Sequence, residues 1–300
     1  MKNNRQRMDE FVDYHIRGDC ECNGVLLKAW ADKHKLSKED RFLLSYLFAI
    51  TYCVGTAIIL YLKRQEVLGN TRCFVDNHKQ TLLFQSDRKY IKMKDSFFEC
   101  LSNYDNKSHF ITDETIDLNK GVQEVEGWKN FGRFSAFLFL ETYVALTGVK
   151  FKNMDSIEWL QGATVTSGML NLFGFDKSAD YWDKNKKLPS NITKEMLDKM
   201  LCIVQANIKA RGGDDNASVV ETSLCAYRKH YKGSRYNGYY LDRQLEELYY
   251  YAQKGYMQLT KELIELRKAV FNHKYLGEIG GWKGVRKELI KTYLTSGAIL

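Results

Sequence analysis

Three hundred residues with 44% hydrophobic content allow one large domain or two small ones around a sizeable core. A formal net charge of +8 suits a phosphate-rich partner, and seven cysteines without a single C-x-x-C pair exclude the common zinc-finger and disulfide frameworks. With no leader pattern at the start, reduced thiols in a cytoplasmic protein are the expectation. There is one proline, Pro189, which fits long helices joined by polar and glycine turns better than a strand-rich sandwich or barrel.

In chain order, the first 35 residues predict one or two short helices with a turn around Gly18–Gly24. Phe42–Leu62 then runs for 21 residues without a charge, long enough to cross a bilayer. Three tyrosines, Ser45, Thr51, Thr56 and Gly55 dilute it, and Ser37 with Asp40 forms an S-x-x-D cap of the kind that opens soluble helices. It reads as one long buried helix, with a membrane span as the competing reading. Thr81–Tyr90 reads as a short strand or an extended run, and Met93–Leu101 as a short amphipathic helix. The polar stretch Asn103–Gly121 is the expected boundary between an N-terminal helical subdomain (residues 1–110) and a catalytic and DNA-binding region (residues 111–300).

Trp128–Thr147 predicts a strong helix with a stripe through Phe134, Phe137, Leu138, Glu141, Val144 and Ala145. Gly162–Gly174 predicts a small-residue turn leading into a short helix, and Leu188–Asn191 a loop. Further helices are expected over Lys194–Ala210, Ala217–Tyr231, Leu241–Tyr251 and Gln258–Phe271, the first two separated by the breaker Arg211–Asn216. The fold class is therefore all-α, a multi-helix globular protein.

Several side chains could carry chemistry. Glu141 falls on the apolar stripe, eight positions after Arg133, where a carboxylate must be paired or protonated. It is either a general base or half of a structural pair with Arg133 or a more distant arginine. Helical spacing sets Glu221, Leu224, Cys225, Arg228 and Lys232 along one side of their helix. That face could bind an anionic leaving group and move a proton, or be an ordinary ion-pair network with Cys225 as core filler. Tyr227–Arg243 holds five Lys/Arg against one acid, with five tyrosines interleaved. Cations there can neutralise phosphates while tyrosines stack on unpaired bases; the alternative is a solvated helix end. Thr164, Thr166, Ser167 and Gly168 could offer backbone N–H groups to a phosphate, or simply open a helix. No P-loop, G-x-G-x-x-G, G-x-S-x-G or zinc-deaminase motif is present, and the six histidines never fall at metal-ligand spacing.

The blocks WKNFGRFSAFLFLETY, Asp155-x-x-x-Trp159-Leu160, TSGMLNLFGFD and ETSLCAYRKHYKGSRYNGYYLDR resemble the bacteriophage amino acid:DNA transferases. These are relatives of the α-glutamyl/putrescinyl thymine pyrophosphorylases and of the helical domain accompanying phage 5-hydroxymethyluracil DNA kinases. The resemblance runs from about Phe11 to Tyr251. It implies an all-helical fold akin to DNA glycosylases, no membrane association and a location in the host cytoplasm. The implied reaction joins the amine of an amino acid or polyamine to the 5-methylene of pyrophosphorylated 5-hydroxymethyluracil in DNA, displacing pyrophosphate. Mapped on this chain, Arg228, Lys232, Arg235 and Arg243 would hold pyrophosphate and backbone phosphates. Arg133 would lie on the substrate side, Tyr236, Tyr239 and Tyr240 would grip the flipped base, and Asn171 would read its edge. Glu141 or Glu221 would accept the ammonium proton. No protein-bound metal is implied, although a divalent cation could accompany the pyrophosphate; a phage base kinase would be the natural partner. A non-catalytic DNA-binding accessory module and a DNA glycosylase are the competing readings.

Overall fold

The computed structural model describes residues 9, 12–13, 15–16, 20–86, 89–104, 115–153, 163–174, 192–231 and 238–271. Among these lie thirteen helices and four short strands, so the all-α class holds. The order is α1 (Cys22–Lys33), α2 (Lys38–Thr51), α3 (Val54–Leu62), α4 (Arg64–Gly69), α5 (Thr71–His78), β1 (Leu83–Ser86), β2 (Lys89–Lys92) and α6 (Ser96–Leu101). Then come β3 (Thr115–Asp117), α7 (Leu118–Glu126), α8 (Arg133–Thr147), β4 (Lys150–Lys152), α9 (Ala163–Leu172), α10 (Lys194–Ala210), α11 (Ala217–Tyr231), α12 (Tyr239–Gln253) and α13 (Met257–Val270). The chain divides into two compact units. The larger draws on Asn23–Lys150 and Asp242–Val270, crossing the expected boundary at residue 110, and the smaller on Phe151–Leu241.

In the larger unit the 21-residue apolar stretch is not one helix. Ser37 caps α2 as expected, its Oγ accepting the Asp40 N–H at 3.1 Å. The helix then stops at Tyr52, which takes a left-handed conformation with φ +49°. A non-glycine residue there is uncommon, and the chain restarts at Val54 as a separate helix, α3. The restart is stabilised by a group 193 residues away: Glu247 of α12 accepts the N–H of Val54 through Oε2 at 3.2 Å. Its Oε1 takes those of Gly55 at 2.6 Å and Thr56 at 3.2 Å. A Cβ on Gly55 would stand 2.8 Å from the Tyr251 ring and 3.0 Å from Glu247 Oε1, so only glycine lets the carboxylate approach. A closed ring of hydrogen bonds adjoins it. Leu83 N–H donates to Tyr251 OH (3.0 Å), Tyr251 to Thr56 Oγ1 (2.5 Å), and Thr56 to the Leu83 carbonyl (2.6 Å). Both helices are core elements, and among the described residues no helix is long and apolar enough to cross a membrane.

α2 packs along α8 through aromatic edges. Phe42 meets Phe139 at 5.4 Å and Tyr143 at 5.8 Å between ring centroids, and Trp128 meets Phe139 at 4.9 Å. Arg41 ties three helices together, donating to Leu36 O (3.0 Å), Leu146 O (2.7 Å) and Asp32 (2.6 Å). The extended run after Thr81 is a hairpin, β1 pairing antiparallel with β2 in the register Leu83–Lys92 to Ser86–Lys89. α7 opens in the last residues of the stretch read from sequence as a polar boundary and runs on past it to Glu126. Asp117 accepts the Lys120 N–H at its start, and Leu118, Gly121, Val122 and Val125 are its buried side.

In the smaller unit α10 and α11 lie where their patterns place them, opened by Thr193 and by Asn216. The block Asp155–Leu160 and the loop expected over Leu188–Asn191 lie outside the described residues. No disulfide joins any of the seven cysteines.

Candidate functional site

Residues from the sequence blocks that carry the resemblance fall in two separate constellations. The first is the outward arc of α8. This helix starts at Gly132 without a side-chain cap and ends at Gly148, whose φ of +77° suits the left-handed closing turn. It is apolar on nearly every side, so periodicity alone does not choose its inner face. The arc through Ala136, Phe139, Leu140 and Tyr143 is buried, because it meets Phe42 and Trp128. The stripe expected from sequence to be buried is largely turned outward instead: Phe134 is 64% exposed and Phe137, Glu141, Val144 and Ala145 are half-buried, with only Leu138 fully inside. The buried arc carries no charge, whereas Glu141 stands in the other, and enclosing that carboxylate would be costly. Glu141 is thus a half-buried carboxylate on an accessible arc and not a core charge. The side chain of Arg133 is 39% exposed; its nearest described acid is Glu126, at 3.9 Å, and burial lowers its pKa from the ordinary value.

The second constellation is the α9–α11 crossing. Gly168 permits it: a Cβ there would lie 2.3 Å from the Leu224 carbonyl oxygen, so the two backbones are almost in contact. Thr166, Ser167 and Asn171 of α9 and Ser223 and Arg228 of α11 are all buried, and Asn171 and Arg228 meet at the crossing. Arg228, 1% exposed, donates through Nη1 to Asn171 Oδ1. A buried guanidinium needs such an acceptor, since removing an ion from water without a partner is costly. Glu221 and Cys225 sit half-buried at the margin, and Leu224 is fully inside. The gathering of Arg228 with Asn171 was not foreseen, since the two stand 57 residues apart.

Of the remaining expected site residues, Lys232, Arg235 and Tyr236 lie outside the described residues. Tyr239 is buried and Tyr240 half-buried, their rings edge to face at 5.4 Å. Arg243 has a side chain 12% exposed and donates to Glu246.

Sequence reasoning passed over Glu247, although it lies on the buried stripe of α12 with Leu241, Gln244, Leu248 and Tyr251. Burial pushes its pKa up to about 8 against the opposing pull of three backbone N–H groups. Its partners are all structural, so it organises the fold and touches no accessible surface. A shallow cleft between α4 and α5 is lined by Glu66, Asn70, Cys73, Asn77 and His78. Its polar groups are largely engaged locally: Asn70 accepts the Cys73 N–H at 3.1 Å, and His78 Nδ1 lies 3.0 Å from the Phe74 carbonyl. Among the described residues no three His, Cys, Asp or Glu side chains gather as a metal site.

The chain is thus a multi-helix protein with a carboxylate-bearing arc on α8 and a separate buried Arg–Asn pair at the α9–α11 crossing. The family model described as amino acid:DNA transferase matches residues 61–236, more than half of the chain, and the chain belongs to that family. Neither curated proteins nor solved structures yield a significant match.

Proposed function

We propose that this transferase hypermodifies thymine-derived bases, joining the amine of an amino acid or polyamine to the 5-methylene of pyrophosphorylated 5-hydroxymethyluracil in DNA. Nitrogen forms a bond to the methylene carbon as the carbon–oxygen bond to pyrophosphate breaks, and the nitrogen loses a proton. The observation that carries the reading is the family match over residues 61–236, which spans the α8 arc with Glu141 and the α9–α11 crossing.

The accessible position of Glu141 suits a group that accepts the ammonium proton, with Glu221 the second candidate. Arg228, held by Asn171, is suited to positioning: it fixes α11, and with it the start of the basic, tyrosine-rich segment, against α9. Lys232, Arg235 and Arg243 are the cations assigned to the departing pyrophosphate and to backbone phosphates. Tyr236, Tyr239 and Tyr240 are assigned to the base.

The test is incubation of the purified protein with DNA bearing the pyrophosphorylated base and a pool of amino acids and polyamines, followed by mass spectrometry of the digested nucleosides. A new adduct, absent with Glu141→Gln, supports the transferase chemistry and identifies the donor. DNA binding with unchanged nucleosides points to an accessory module, and release of free base to a glycosylase.

A further inference from the structure

Packing accounts for the apolar half of the β1–β2 hairpin. Leu82, Leu83, Phe84 and Met93 are buried, and the Phe84 ring stacks on that of Phe97. Met93 N–H donates to the Leu82 carbonyl at 3.0 Å, closing the base of the two strands. α12 fastens that base in place: Tyr250 OH donates to the Thr81 carbonyl at 2.7 Å, and Tyr251 OH accepts the Leu83 N–H at 3.0 Å. The hairpin therefore has a fixed root.

The other half is basic in sequence. Four cations and no acid fall between Arg88 and Lys94, with Lys89 and Lys92 in β2 and Lys94 at its foot. Lys94 is exposed and makes no ion pair among the described residues, and the adjacent acid, Asp95, is already engaged by Lys79 at 3.4 Å. The register sets Gln85 opposite Tyr90 and Ser86 opposite Lys89, so hydrogen-bonding residue types accompany the cations. Among the described residues no further strand pairs with either edge. Four-residue strands that carry lysine are poor templates for another strand, which disfavours a protein chain as the occupant. Duplex DNA fits better. Two strands about 5 Å apart enter a major groove about 12 Å wide, and lysines supply the charge that its phosphates call for.

We infer that the β1–β2 hairpin is a ribbon that docks on duplex DNA, with Lys89, Lys92 and Lys94 neutralising backbone phosphates beside the major groove. What carries the inference is the juxtaposition of a root fixed in the core with a run of cations on a ribbon whose edges are unpaired. It rests on the reading that the protein acts on DNA, and it adds a contact with paired DNA that this reading does not use. The residues assigned to the base and to the amine lie elsewhere in the chain, so docking and chemistry are separable. Each lysine removed should lower the slope of log affinity against log salt by about 0.9.

The experiment measures affinity for a fully paired duplex and for the matching single strand by fluorescence anisotropy, across a salt series from about 50 to about 200 mM. The triple variant Lys89→Ala, Lys92→Ala, Lys94→Ala should flatten the duplex salt slope by about 2–3 and weaken low-salt duplex binding about tenfold or more. The corresponding triple change to arginine keeps the charge and should stay within about twofold of the wild type. A control triple, Lys35→Ala, Lys38→Ala, Lys261→Ala, removes the same charge from exposed positions outside the hairpin and should stay within about threefold. Unchanged duplex slope and affinity in the alanine triple, or an equal loss in the control, would overturn the inference while leaving a DNA-acting enzyme in place. The same holds if the arginine triple fails to bind, which would make the hairpin lysines structural, or if the wild type binds the single strand alone. Failure of the wild-type protein to bind either DNA would overturn both this inference and the reading beneath it.

Discussion

Replacing Glu247 by alanine removes the acceptor for three backbone N–H groups at once. Val54, Gly55 and Thr56 are buried, and the carboxylate approaches so closely that Gly55 lacks room for a Cβ. Each buried donor left without a partner costs about 1–3 kcal/mol, so partial relaxation leaves a loss of about 3–6 kcal/mol. That is a large share of the stability of an ordinary domain. Glu247→Gln separates hydrogen bonding from charge: its carbonyl can still serve Gly55 and Thr56, and only the Val54 N–H faces an amide nitrogen. The assay is urea unfolding at pH 5.5, followed as the shift of the midpoint at constant slope. Because burial holds the folded Glu247 pKa near 8 against 4.5 when exposed, the folded state binds the extra proton. The contribution of Glu247 to stability is then fully present below pH 4.5 and declines as pH rises through 8, by at most about 5 kcal/mol. The glutamine variant lacks this decline and should gain on the wild type between pH 5.5 and 8. A loss below about 1 kcal/mol in Glu247→Ala, or a wild-type minus glutamine difference that does not change with pH, would refute the reasoning.

Gly168→Ala drives a methyl group into the Leu224 carbonyl and should lower stability by about 1–3 kcal/mol or more, read from the same urea transition. Asn171→Ala removes an acceptor from buried Arg228 and should cost about 1.5–3 kcal/mol, whereas Asn171→Asp should retain an acceptor; thermal melting distinguishes them. Glu141→Gln should reduce adduct formation by at least a hundredfold while leaving the circular dichroism spectrum and DNA affinity intact, as expected for a half-buried group in a proton-transfer role. Equal activity in that variant would shift the proton acceptor to Glu221.

The helices legible in the sequence are those that carry their own punctuation. α10 has Thr193 at its start and the Arg211–Asn216 breaker at its end, and Gly212 supplies the positive φ that a turn there needs. α7 also carried its signal, an aspartate cap followed by apolar residues at helical spacing, but the surrounding polar run obscured it. The break at Tyr52 had no local sign, since neither glycine nor proline stands there and the restart depends on Glu247 from another part of the chain. α8 illustrates a different limit. Its position was readable, its orientation was not, because both arcs are apolar and packing against Phe42 and Trp128 selects between them. For the site, Glu141 could be singled out as a carboxylate in an apolar helix, but its accessibility follows only from the packed structure. The Arg228–Asn171 pair joins two helices whose proximity no spacing rule contains.

The dependence of α3 on Glu247 also orders events during synthesis. When Val54, Gly55 and Thr56 leave the ribosome, the acceptor that will serve them is still about 190 residues from being made. At a translation rate of about 5–20 residues per second, the interval is roughly 10–40 seconds. Throughout it the most apolar stretch of the chain has its helix restart unsupported and its surface uncovered by α12. The larger unit therefore cannot mature in step with translation, and the nascent chain is a natural client for chaperones that bind exposed apolar segments.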